Sequence, residues 1–160
     1  MKNSNEVLIK MVLDAWNTHV QRAEKLFNNL NDVEMLKEVA PGRNRGVYLF
    51  GHLIAVHDGI PALLGVGKQN YPELNAVFIN EADKSSLPVP SIGDLRTSWK
   101  KVHSDLSEGF NKLSSDEWFS AHTAVSEVDF VKEPHRNKLN IIINRTNHLS
   151  YHLGQLALIK

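Results

Sequence analysis

His148 and His152 stand four residues apart in the run Arg145-Thr-Asn-His148-Leu-Ser-Tyr-His152-Leu-Gly-Gln155. On a helix that spacing leaves the two side chains about 40° apart around the axis and one turn apart along it, so both imidazoles can reach a single atom. A divalent metal needs that geometry from two ligands on one helix. The chain carries eight histidines, so the spacing alone says little, and its place on the helix says more. Ile141, Arg145, His148, His152, Leu156 and Ile159 follow at steps of four, three, four, four and three, the stripe a packed helix turns inward. Three consecutive members are polar. Polar groups on an inward stripe need a partner, which a metal ion or a bound anion supplies; a hydrogen-bonded core pair is the competing reading. Arg145, about one turn before His148, is the candidate for holding an anionic substrate group. Peptidase chemistry of the His-Glu-x-x-His kind is disfavoured, because Leu149 stands where the glutamate belongs.

Composition narrows the chemistry further. There is no cysteine, so thiolate ligands and disulfides are excluded and any metal must be held by His, Asp or Glu. Lys plus Arg and Asp plus Glu both number 18, with no block of one sign, which argues against a nucleic-acid partner. The start, Met-Lys-Asn-Ser-Asn-Glu, leads into an amphipathic pattern unlike a signal peptide, and no apolar run approaches membrane-spanning length. The expectation is a soluble cytoplasmic protein of one domain over residues 1–160.

The elements that must position the histidines read as helices throughout. Ser4 or Asn5 caps a first helix over about 5–30, with Leu8, Val12, Ala15, His19, Ala23, Leu26 and Leu30 as its inner stripe and His19 as a hydrogen-bonded core residue. Asn31 and Asp32 restart the chain into a helical turn over 33–39, and residues 40–46 form a loop whose Arg43 and Arg45 are expected to be solvated. A second helix covers about 47–64, with Leu49, Leu53, Val56 and Ile60 buried and Pro61 kinking or shortening its last turn. His52 and His57 lie about equally far to either side of that stripe, and periodicity does not choose between them as partners of the pair. Residues 65–90 are a long connection with a helical turn near 74–78. Ser91 with Asp94 opens a third helix carrying Leu95, Trp99, Val102, Leu106, Phe110 and Leu113, and Ser114 with Glu117 caps a short helix. Residues 122–134, with His122, Glu127 and Asp129, form a connector that could alternatively close over the open end of the fold. Pro134 suits the first position of the last helix. Four long helices with two long connections make an all-α four-helix bundle. Trp16, Phe27 and Tyr48 lie beyond what one stripe needs, and as exposed apolar groups they would favour a homodimer.

Three stretches carry a resemblance: Gly42-Arg-Asn-Arg-Gly-Val-Tyr-Leu-Phe-Gly-His52-Leu-Ile-Ala-Val-His-Asp58, Glu133-Pro-His-Arg-Asn-Lys138, and Arg145-Thr-Asn-His148-Leu-Ser-Tyr-His152-Leu-Gly-Gln155-Leu. In order and over essentially the whole chain, they resemble the DinB-like superfamily of four-helix bundles, which includes the YfiT-type metal-dependent hydrolases. The resemblance implies one histidine from the second helix plus the His-x-x-x-His pair of the fourth, here His52, His148 and His152, holding nickel, zinc or a similar ion. It thereby selects His52 over His57. It also implies a small-molecule substrate, with hydrolysis or transfer of a low-molecular-weight thiol as the reaction class. No general base stands out; Asp58, Glu127, Asp129 and His57 are the candidates.

Overall fold

The computed structural model describes residues 4–159. Its helices are α1 (Ser4–Asn29), α2 (Asp32–Met35), α3 (Gly46–Asp58), α4 (Ile60–Leu64), α5 (Ile92–Phe110), α6 (Ser115–Trp118), α7 (Glu127–Lys132) and α8 (Lys138–Leu156), with a π-helical turn at Ala76–Asn80. Among the described residues there is no strand, only the isolated bridges Glu38–Arg45 and Ala121–Asn137. The all-α expectation holds.

α3 is the central element. It packs on α5, on α8 and on the π-turn, while α1 packs on α8. Val47, Leu49, Phe50, Leu53, Ile54, Ala55, His57 and Asp58 are all buried, so α3 is apolar nearly all round, as an enclosed helix must be. That corrects one expectation. Gly46–Leu64 is long and apolar enough to cross a membrane by length and composition alone, but 67% of it is buried inside the fold. Pro61 lacks the N–H that would reach back to residue 57, and the helix divides at Gly59. Asp58 then pins the following loop: it accepts hydrogen bonds from Asn70 N at 3.0 Å and Tyr71 N at 2.8 Å.

The register of α1 differs from the expected stripe. Ile9, Trp16, Ala23, Phe27 and Leu30 face the core, whereas Leu8 is 45% exposed. Val7, Leu8, Ile9, Met11, Val12 and Leu13 are apolar on both sides of the wheel, and the larger rings of Trp16 and Phe27 bury more area in the register adopted. His19 is only partly buried, its Nδ1 donating to Ala15 O at 2.9 Å within its own helix, so it is not a core residue. Trp16 and Phe27 are each 2% exposed, and Tyr48 is half-buried, which removes the stated basis for a dimer. Among the apolar groups left at the surface, Leu8, Met11 and Ile143 lie along a groove between α1 and α8. α1 already includes Ser4, so neither Ser4 nor Asn5 caps it, and what precedes Ser4 lies outside the described residues.

Elsewhere the caps follow the sequence. Ser91 Oγ accepts from Asp94 N at 3.0 Å, and Ser114 with Glu117 makes a reciprocal capping box. α2 is shorter than expected and is capped by Asn31. The last helix begins later than expected: Asn137 caps α8 by accepting from Asn140 N at 3.0 Å, and Pro134 lies before it in a turn. Proline also disfavours helix for the residue before it, and Glu133 is accordingly non-helical. Arg43 is exposed, but Arg45 is not solvated surface charge. Its Nη2 donates to Asp83 Oδ1 at 2.7 Å, and the Asp83 side chain is 4% exposed.

Candidate metal centre

His52 projects from the middle of α3, and His148 and His152 project from successive turns of α8. His148 Nε2 lies 3.1 Å from Nε2 of both His52 and His152. One ligand atom from each of the three falls within 4.8 Å of the others. Two imidazoles bound at ordinary zinc–nitrogen distances to a tetrahedral ion stand about 3.4 Å apart, so the two 3.1 Å spacings are close to what one ion requires.

The ring orientations are set from behind. His52 Nδ1 donates to Phe78 O at 2.7 Å, and His152 Nδ1 donates to Gln155 Oε1 at 2.7 Å. Gln155 Nε2 in turn points to Tyr151 Oη at 3.4 Å. A neutral imidazole that gives away its Nδ1 proton keeps its Nε2 lone pair, so both rings direct lone pairs at the shared centre. Lone pairs facing one another this closely repel unless a cation or a proton sits between them. The donor set therefore fits a divalent metal, and it is the neutral-imidazole type that suits zinc or nickel. His148 Nδ1 is buried without a partner.

Phe78 belongs to the π-turn, a distortion often found at functional sites. Its carbonyl is one of three ties from a single stretch of the long connection to one face of α3 and its N-cap residue. Arg45 pairs with Asp83, Tyr48 Oη donates to Glu81 O at 2.7 Å, and His52 donates to Phe78 O. Steps of three and four place residues 45, 48 and 52 on one helix face.

Electrostatics favour the ligand form. Burial brings His148 down to about 4, with His152, His52 and Arg145 adding to the effect. Burial also lowers His152, partly opposed by its hydrogen bond to Gln155. Metals bind neutral imidazole, so proton competition at these two residues is weak near neutral pH. Arg145 is half-buried with Nε unpartnered; burial lowers its pKa, and no carboxylate offsets that.

The stripe Ile141, Arg145, His148, His152 is not the innermost face of α8. Leu139, Ile142, Thr146, Leu149 and Leu156 are buried deeper, and the polar members lie half-buried on its flank. The α1 and α3 side chains facing α8 fix this rotation, which the pattern of α8 alone does not encode. The result leaves the three histidines at the edge of the core instead of its centre.

His57 does not join the three. It is fully buried, and its Nδ1 lies 3.0 Å from His103 Nε2. The sequence reading gave His103 no role. Its only signal there was a position four residues after Trp99, just off the apolar stripe of α5. The other candidate bases are engaged or distant. Asp58 is held by Asn70 and Tyr71, and Asp129 accepts from Ser126 Oγ at 2.7 Å in the exposed first turn of α7. The connector containing Glu127 and His122 is anchored where Thr123 N meets Leu63 O at 3.0 Å, roughly 16 Å along the helix direction from His52, and so does not close over the histidines. No protein-family model matches the chain, and no curated protein matches it.

Proposed function

We propose that the chain is a divalent-metal-dependent enzyme, a hydrolase or a thiol S-transferase, built as a single DinB-like four-helix bundle. His52, His148 and His152 hold the ion, nickel or zinc, and Arg145 draws in the charged group of a small anionic substrate. The convergence of three Nε2 atoms, two of them oriented by Nδ1 hydrogen bonds, carries this reading. With three protein ligands, such an ion retains open positions and, when bound, lowers the pKa of a coordinated water or thiol. The chain's own part is to orient: Phe78 O and Gln155 Oε1 fix two rings, and the half-buried Arg145 supplies an uncompensated positive charge for an anion. A small-molecule substrate and a cytoplasmic setting complete the proposal.

The test is metal content by mass spectrometry after incubation with zinc or nickel. Wild type is expected to retain about one equivalent, and His148→Ala and His152→Ala to retain almost none. Equal metal in wild type and both variants would sink the proposal. A second reading, a non-catalytic metal-binding or homodimeric interaction protein of the same fold, draws support from the absence of a free carboxylate base near the histidines among the described residues. It is favoured if metal binds at one equivalent but azide and small thiols leave the spectrum of the cobalt-substituted protein unchanged.

A further inference from the structure

The metal centre shares one of its residues with a cavity. That cavity has a volume of about 220 Å³ and is lined by Val39, Gly42, Arg43, Asn44, Leu49 and Gln155. Leu49 stands three residues before His52 on α3, and Gln155 three residues after His152 on α8. Two of the walls therefore come from the turns next to two of the histidines. At Gln155 the contact is direct, because its Oε1 accepts from His152 Nδ1 at 2.7 Å. Arg145 stands seven residues before His152, so along α8 the cavity begins on the other side of the pair.

The loop that closes the cavity is held by its own backbone. Val39 N donates to Asn44 O at 3.0 Å, Arg43 N to Ala40 O at 2.9 Å, and Gly42 N to Glu38 Oε2 at 2.7 Å. These bonds leave the polar side chains of the rim unused. Arg45 is paired with Asp83 and Lys84 with Glu38. Among the described residues, by contrast, no hydrogen bond or ion pair engages the guanidinium of Arg43 or the side-chain amide of Asn44. Gln155 Nε2 reaches Tyr151 Oη at 3.4 Å, which leaves its second hydrogen unspent. No carboxylate lines the cavity. Its floor is of another kind: Val39 and Leu49 are apolar and buried. One cation and two amides over an apolar floor, with no acid among them, complement an anion that carries a short apolar body.

We propose that this cavity binds a short-chain aliphatic carboxylate. Arg43 and Asn44 hold the carboxylate, Gln155 Nε2 donates to one of its oxygens, and the hydrocarbon lies on Val39 and Leu49. Inorganic phosphate would satisfy the rim and leave the floor uncovered, and an alcohol would do the reverse. A ligand seated here touches the amide that aims His152. The site needs no bound ion, so it stands or falls apart from the metal reading.

The test is a titration of the chelator-treated, 15N-labelled protein at pH 7 and fixed ionic strength, followed by NMR. Butyrate, acetate, inorganic phosphate and butanol are the probes. Butyrate is expected to move the Arg43 Nε and Gln155 Nε2 resonances saturably, and to bind roughly 10-fold more tightly than acetate because two more methylenes meet the floor. Arg43→Met, a change at an exposed position, should weaken butyrate by about 10-fold or more. Asn44→Asp keeps the shape of the rim and adds a negative charge, and should weaken it similarly. Three results would overturn the proposal. One is an Arg43→Met protein that binds butyrate as wild type does. Another is a shift no larger at Arg43 than at the exposed Arg22. The third is phosphate or butanol binding as tightly as butyrate, which would remove either the floor or the rim from recognition. Because no metal is present, a failure of zinc binding leaves each of these outcomes readable.

Discussion

Gly51→Ala is expected to weaken zinc binding by roughly 10- to 100-fold without touching a ligand. A Cβ built on Gly51 comes 2.3 Å from Phe78 Cε1 and Cζ, far inside contact distance. Phe78 is fully buried and packs beside Tyr48 at 5.8 Å, so the ring cannot swing into solvent without leaving the core. Relief requires the π-turn to back away from α3, and the carbonyl that orients His52 moves with it. Overpacking of this kind typically costs about 1–3 kcal/mol, here at the upper end because the neighbour is a rigid ring. The discriminating variant is the double change Gly51→Ala with Phe78→Leu. Shortening the ring makes room for the methyl while keeping the backbone carbonyl, so zinc affinity should recover substantially relative to Gly51→Ala alone. Affinity measured by competition with a chelator decides the matter. Unchanged zinc affinity in Gly51→Ala would show that His52 does not depend on the π-turn.

Acid should unfold the metal-free protein at a higher pH than its carboxylates alone would dictate. Burial brings His103 from 6.5 down to about 4, and burial together with neighbouring positive groups puts His57 well below its usual value. Both are held neutral in the fold and take up protons readily once unfolded. Between pH 6.5 and 4 the unfolded chain thus binds more protons than the native one, and stability falls as the pH falls. The contribution of His103 is complete above its unfolded pKa and lost progressively down to about 4. A shift of that size corresponds to about 3 kcal/mol. Urea midpoints at pH 7.5 and 5.0 measure it. His103→Gln retains an acceptor for His57 and a donor for the carbonyl of Trp99 but does not titrate, so its midpoint should fall less between the two pH values. Parallel profiles for wild type and His103→Gln would exclude His103 as the acid-sensitive element.

The sequence made the helical class plain because breakers and caps were written at the boundaries. Asn31, Ser91, Ser114 and Pro61 each mark an end where expected. It was less informative about rotation. α1 has apolar residues on two overlapping faces, and the choice between Leu8 and Ile9 is made by neighbouring helices. The same limit applied to α8, whose histidine stripe turned out to be a flank. His148 and His152 were legible as a pair because both lie on one helix. His52 was separated from His57 only by resemblance, since spacing on α3 treats them alike, and the structure brings His52 to the pair. The orienting acceptors split by the same logic. Gln155 is local to α8 and stood in the motif, whereas Phe78 contributes a backbone carbonyl, which no side-chain pattern can reveal.

The three ties between α3 and the stretch around Phe78, Glu81 and Asp83 make the long connection a participant in metal binding. His52 can present its lone pair in the observed direction only when that stretch is docked. A bound ion and a docked connection therefore favour each other by the same free energy, whichever forms first. Metal present at 100 times its dissociation constant would add about 2.7 kcal/mol to the states in which the connection is seated. Amide exchange and proteolysis between Tyr71 and Pro90 thus become reporters of site occupancy, in a segment that contributes no ligand of its own.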